Sequence, residues 1–92
     1  MPTPTHVDGA PTVPILIYTL STCGWCKKTK QYLNELGVAY DYVDVDMAGD
    51  ERDAVMEEVR KWNPSCSFPT VVVAGKEAIV GFQPDRLKKV VG

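Results

Sequence analysis

Ile15-Leu16-Ile17-Tyr18-Thr19-Leu20 carries no charge, and only Thr19 interrupts its large apolar and aromatic side chains. A strand with one wet face alternates polar and apolar residues. This run does not, which reads as a central strand covered on both faces. It is far too short for a leader's apolar region or for a membrane span, which needs about 20 residues. With 92 residues, 45% of them hydrophobic, the chain can build one core around such a strand. A formal net charge of −2 lacks the basic excess of nucleic-acid or membrane-surface proteins, so neither partner is expected.

Residues 1–14 hold four prolines, three threonines and a glycine. Such a segment buries little, and it is expected to be a flexible tail with His6 solvated in it. The start, Met1-Pro2-Thr3-Pro4, has no basic stretch of a secretory leader, so a cytoplasmic protein is expected. The folded domain is expected over residues 15–92.

After the first strand, Ser21 and Thr22 offer capping side chains, and a helix starts at about Cys23 or Gly24. Cys26, Thr29, Leu33 and Leu36 recur at helical spacing, and Gly37 supplies a left-handed stop. Tyr40 to Val45 reads as a second strand. Asp50 suits an N-cap for a helix whose stripe is Val55, Val59 and Trp62 and which Asn63-Pro64 ends. Pro69 to Val73 and Glu77 to Val80 read as strands joined by the turn Ala74-Gly75-Lys76. Pro84 and Asp85 suit the start of a last helix, and Lys88 and Lys89 its end. The expected fold is α/β: a βαβ unit followed by a ββα unit, giving a four-stranded mixed sheet flanked by three helices.

Cys23-Gly24-Trp25-Cys26 falls where that first strand meets that first helix. Free amide groups and the dipole at a helix start favour an anion, here the Cys23 thiolate, which is the nucleophile in disulfide exchange. Lys27, Lys28 and Lys30 add positive charge nearby. Cys26, one turn in, is less exposed and can resolve a mixed disulfide. Gly24 leaves the approach open, and Trp25 projects where a partner docks. An odd count of three cysteines is not a closed disulfide framework, and in a cytosolic chain a Cys-x-x-Cys is redox-active or metal-binding.

Four stretches carry a resemblance: Cys23-Gly24-Trp25-Cys26, Tyr42-Val43-Asp44-Val45-Asp46, Phe68-Pro69-Thr70-Val71 and Val80-Gly81-Phe82-Gln83-Pro84-Asp85. Over about residues 15–91 the chain resembles a glutaredoxin of the thioredoxin superfamily, which implies a thioredoxin-like fold and a thiol–disulfide oxidoreductase. The resemblance implies that Cys23 attacks, that Cys26 resolves and that Pro69 is the family's cis proline. It also implies a substrate or glutathione surface of Trp25, Phe68, Pro69, Gly81, Phe82 and Asp85, with Phe68 lending main-chain hydrogen bonds. The implied partners are disulfide-containing proteins, with glutathione, a thioredoxin-type reductase or a ferredoxin-linked reductase as electron donor. A monomer with no bound cofactor or metal is expected. Many glutaredoxins carry Cys-Pro-Tyr-Cys and a Gly-Gly pair after the fourth strand. Here Gly24-Trp25 and Gly81-Phe82 stand instead, and Pro84 offers no N–H to an anion. The ending Gly81-Phe82-Gln83-Pro84-Asp85 is similar to that of the redoxins that feed ribonucleotide reductase.

Cys66 reads first as a small hydrophobe and second as a regulatory thiol. An alternative function is a dimer holding a [2Fe–2S] cluster through Cys23 and glutathione thiolates, as in some glutaredoxins that lack the active-site proline. Zinc is poorly served by three cysteines and His6.

Overall fold

The computed structural model of the chain describes residues 4–91. Eight elements follow in order: β1 (Thr5–Val7), β2 (Ile15–Thr19), α1 (Gly24–Leu36), β3 (Tyr40–Asp44), α2 (Arg52–Trp62), β4 (Thr70–Val73), β5 (Glu77–Val80) and α3 (Pro84–Val91). They form one mixed sheet of order β1-β3-β2-β4-β5. β2 pairs parallel with β3 and antiparallel with β4, and β5 completes the hairpin.

β2 is central, as its uninterrupted apolar run requires. Ile15 and Ile17 join Leu33 of α1, Val71 and Val73 of β4 and Leu87 of α3 in one core. Tyr18, from the opposite face of β2, packs with Val43, Val72 and the α2 residues Val55 and Val59 in a second. The sheet is thus covered by α1 and α3 on one side and by α2 on the other. Gly37 ends α1 with φ 71° and returns its N–H to the Asn34 carbonyl at 3.0 Å. The hairpin turn takes Ala74 and Gly75 through φ of 55° and 63°, the twist that suits a tight antiparallel connection.

Three expectations are corrected. The sheet has five strands rather than four, because the segment expected to remain outside the fold supplies β1. Thr5, His6 and Val7 pair antiparallel with Tyr42, Asp41 and Tyr40. Ala10 then exchanges hydrogen bonds with Gly37 and Ala39, and the Pro14 carbonyl accepts from Ala74. A Cβ on Gly9 would lie 2.4 Å from the Val38 carbonyl carbon, so this close backbone approach admits only glycine. Nothing in a three-residue, mostly exposed edge strand signals itself by apolar pattern; the pairing with β3 makes it. The part of the expected tail at residues 1–3 lies outside the described residues.

The second correction concerns helix starts. Asp50 does not cap α2. The chain instead enters through two 3₁₀ turns, at Val45–Met47 and Gly49–Glu51, with Gly49 at φ 59°. Val45 belongs to the first of these turns rather than to β3. At α1 the cap is Cys23 itself, since Ser21 gives its N–H and hydroxyl to Asp46.

The third correction is His6. Its Nδ1 lies 2.6 Å from Asp41 Oδ1 and its Nε2 3.1 Å from Asp8 Oδ1. The hydrogen bond with Asp41 outweighs a desolvation cost and, with the charges of Asp41 and Asp8, raises its pKa above 6.5. A raised folded value makes this pairing fully stabilising below the unfolded value and weaker as pH rises through the folded one. Amide exchange of β1, corrected for its intrinsic pH dependence, is therefore expected to accelerate relative to β2 from mildly acidic to alkaline pH. His6→Ala should remove that difference; equal protection of β1 at all pH would refute the role.

Candidate active site

Cys23 stands between the end of β2 and the head of α1. Its N–H donates to the Leu20 carbonyl at 3.1 Å, closing the turn that delivers it there. With φ −82° and ψ 117° it is the extended cap of the helix, and its Sγ accepts the Cys26 N–H at 3.1 Å. A sulfur thus occupies the place where Ser, Thr or Asp oxygens usually satisfy a free helix amide. Cys23 is half-buried, and Cys26 is 1% exposed. Burial first, and then the hydrogen bond with Cys23, push the Cys26 thiol up to about 12. Cys26 therefore keeps its proton at neutral pH while it supports the sulfur above it.

Trp25 is 58% exposed and stacks on Phe82, with ring centres 6.0 Å apart. Tyr32 meets Phe82 edge-on, and the Lys28 ammonium lies 4.9 Å from the centre of the Trp25 ring. Trp25, Phe68, Gly81 and Phe82 line one hollow of about 220 Å³. The Phe68–Pro69 peptide is cis, and the Pro69 carbonyl accepts the Gly81 N–H at 2.9 Å. Gly81 has φ 80°, a conformation that suits glycine. The structure thus brings together Trp25, Phe68, Pro69, Gly81 and Phe82. Asp85 and Lys27 are exposed, and neither lines that hollow. Lys28 does not line it either, but lies over the Trp25 ring.

Cys66 lies half-buried at φ 53° in the loop that ends at Pro69. Asn63 holds this loop. It is 4% exposed, and its Nδ2 lies 3.0 Å from the Ser67 carbonyl, 3.0 Å from the Ser67 hydroxyl and 3.1 Å from the Thr70 hydroxyl. From the sequence alone Asn63 reads only as a helix stop. Its signal was an amide side chain beside a buried strand with Thr70 seven positions on, a pairing visible only when the loop closes.

Lys30, one of three adjacent cations in the sequence, differs from the others in being half-buried. Its Nζ lies 3.5 Å from Asp44 Oδ1 and 3.7 Å from the centre of the Tyr42 ring. Among the described residues no group of three or more His, Cys, Asp or Glu side chains could hold a metal ion. The [2Fe–2S] alternative would take its thiolates from Cys23 of two chains and from glutathione, so it would not need such a group within one chain. No helix among the described residues is long and apolar enough to cross a membrane.

The sequence model of the glutaredoxin family matches residues 15–78. Among solved structures, a glutaredoxin from Methanosarcina mazei Go1 is 47% identical, with a TM-score of 0.86 over 97% of this chain and 87% of that one. Methanoredoxin from Methanosarcina acetivorans is 42% identical, with a TM-score of 0.87 over 91% and 90%. A glutaredoxin-like 8.6 kDa protein of a rubredoxin operon in Clostridium pasteurianum is 38% identical over 84% of this chain and 96% of its own length.

Proposed function

This chain belongs to the glutaredoxin family of thiol–disulfide oxidoreductases, and on that premise we propose that it reduces protein disulfides and glutathione mixed disulfides, with Cys23 attacking and Cys26 resolving. The observation that carries the assignment is the Cys23 sulfur at the head of α1, accepting a main-chain N–H. An amide donor and the helix dipole stabilise a thiolate there. The Cys23 thiolate attacks one substrate sulfur, the substrate S–S bond breaks, and one substrate thiolate leaves. Cys26 then loses its proton and attacks the Cys23 sulfur. The Cys23–Cys26 bond forms, the mixed disulfide breaks, and the second substrate thiolate leaves and takes up a proton. Two electrons pass to the substrate, and the protein is left oxidised.

The hollow beside Trp25 and Phe82 accepts an apolar side chain next to the substrate cysteine, and the main chain of Phe68 aligns the substrate backbone. Glutathione, a thioredoxin-type reductase or a ferredoxin-linked reductase returns the protein to the dithiol. Phe82 fills space that a second glycine would leave open, Pro84 removes one N–H donor for a glutathione carboxylate, and Asp85 adds negative charge there.

The decisive test uses Cys26→Ser. Reduced variant mixed with a peptide disulfide is expected to accumulate one covalent adduct per chain, which mass spectrometry after proteolysis locates at Cys23. An adduct on Cys66, or none at all, would overturn the assignment.

A further inference from the structure

Cys26 and Lys30 lie four residues apart on α1 and so share one face of the helix. Tyr42 and Asp44 alternate on β3 and point to the same side of the sheet. Thr19, fully buried at the end of β2, pairs with Asp44 in register and donates its hydroxyl to the Asp44 carboxylate. Two residues of β3 therefore hold the Lys30 ammonium, with Thr19 of β2 behind them. The Lys30 side chain is only 21% exposed, and water screens a half-buried charge less than a surface one. Lys27 and Lys28, which the sequence placed beside it, are exposed and screened.

We propose that Lys30, held by Asp44 and Tyr42 with Thr19 behind them, is the positioning residue of the resolving step: its ammonium stabilises the Cys26 thiolate that attacks the mixed disulfide. The proposal rests on the reading of Cys23 as nucleophile and Cys26 as resolving thiol. Burial works against the Cys26 thiolate, and of the charged groups acting on it Cys23 opposes ionisation while Lys30 favours it. Once Cys23 is tied up in a mixed disulfide its charge is gone, and the Lys30 field is left to work against burial alone. Lys30 itself faces Asp44 and Tyr42 on β3. In this step the proton of Cys26 leaves to solvent, its electron pair forms the Cys23–Cys26 bond, and the departing substrate thiolate takes up a proton.

The test follows a single turnover of an aryl disulfide whose thiolate absorbs visible light, in a Cys66→Ser background so that only the pair reacts. Attack by Cys23 releases the first thiolate in a phase that depends on reagent concentration. Attack by Cys26 releases the second in a phase that does not. Lys30→Met is expected to slow the second phase about tenfold, so that it needs about one pH unit more to reach the same rate, the equivalent of one pKa unit. Lys30→Arg, which keeps the charge, should restore it. Lys30→Met combined with Asp44→Asn leaves no unpaired carboxylate and should remain slow. A wild-type second phase in Lys30→Met at every pH overturns the proposal, and so does full recovery in the double variant, which would reduce Lys30 to a counter-ion for Asp44. Cys26→Ser run alongside must lose the second phase; if it keeps that phase, the assignment of the two cysteines fails first.

Discussion

Cys23→Ser is expected to abolish disulfide reduction and leave the fold intact. The two halves of this result have separate causes. A hydroxyl is not ionised at neutral pH, so no sulfur anion remains to attack, and turnover should fall on the order of a thousandfold or more, towards the solution background. Serine is also one of the preferred residues at a helix cap. Its oxygen can take over the Cys26 N–H that the Cys23 sulfur accepts at 3.1 Å, and so α1 keeps its start. Thermal unfolding should show a melting temperature close to wild type alongside the loss of activity in a coupled reductase assay. Retained turnover would remove Cys23 from the chemistry. Loss of both stability and activity would make it a structural cap.

Asn63→Ala is expected to have the largest effect on stability of any single surface-loop change. The side chain is almost fully buried and reaches Ser67, Thr70 and, through its oxygen, the Ser65 N–H at 3.2 Å. Truncation removes these bonds and strips the buried Thr70 hydroxyl of its amide donor, a cost of about 2–4 kcal/mol in all. For a domain of this size that lowers the melting temperature on the order of 10 °C or more. The Cys66 N–H donates to the Asn63 carbonyl at 2.9 Å, and Cys66 itself sits at φ 53°, a conformation that non-glycine residues hold only when their surroundings impose it. Freed from the clamp, residues 65–69 should relax, so amide exchange there should rise more than in β2 and substrate KM should rise more than kcat falls. Unchanged melting and exchange would show that the loop holds its shape without Asn63.

Much of this fold was legible along the chain because its signals are local. The apolar run at Ile15 required burial on both faces, and it lies at the centre of the sheet. Thr29 and Leu33 repeat at helical spacing and are buried; Gly37 ends the helix in the left-handed region. β5 and α3 begin and end where turn and cap residues indicated. Apart from the 3₁₀ entry to α2, the expectations that failed depended on partners distant in sequence. β1 exists because Asp41 and Tyr42 offer an edge to His6 and Thr5. Ser21 and Thr22 are good caps by type, but Ser21 is taken by Asp46, twenty-five residues on.

The same division runs through the active site. The order of residues alone determined that two cysteines would stand at a strand-to-helix junction, because strand burial, helix periodicity and the reach of the helix dipole are properties of short segments. Only the tertiary structure decided which cation is held near Cys26, what shapes the loop before Pro69, and which aromatic rings meet beside Cys23. Three neighbouring lysines look alike in sequence, but Lys30 alone has Asp44 and Tyr42 beneath it. The physical reason is that the effect of a charge or hydrogen bond depends on burial and on partners brought close by folding, and neither is encoded within the few residues on either side.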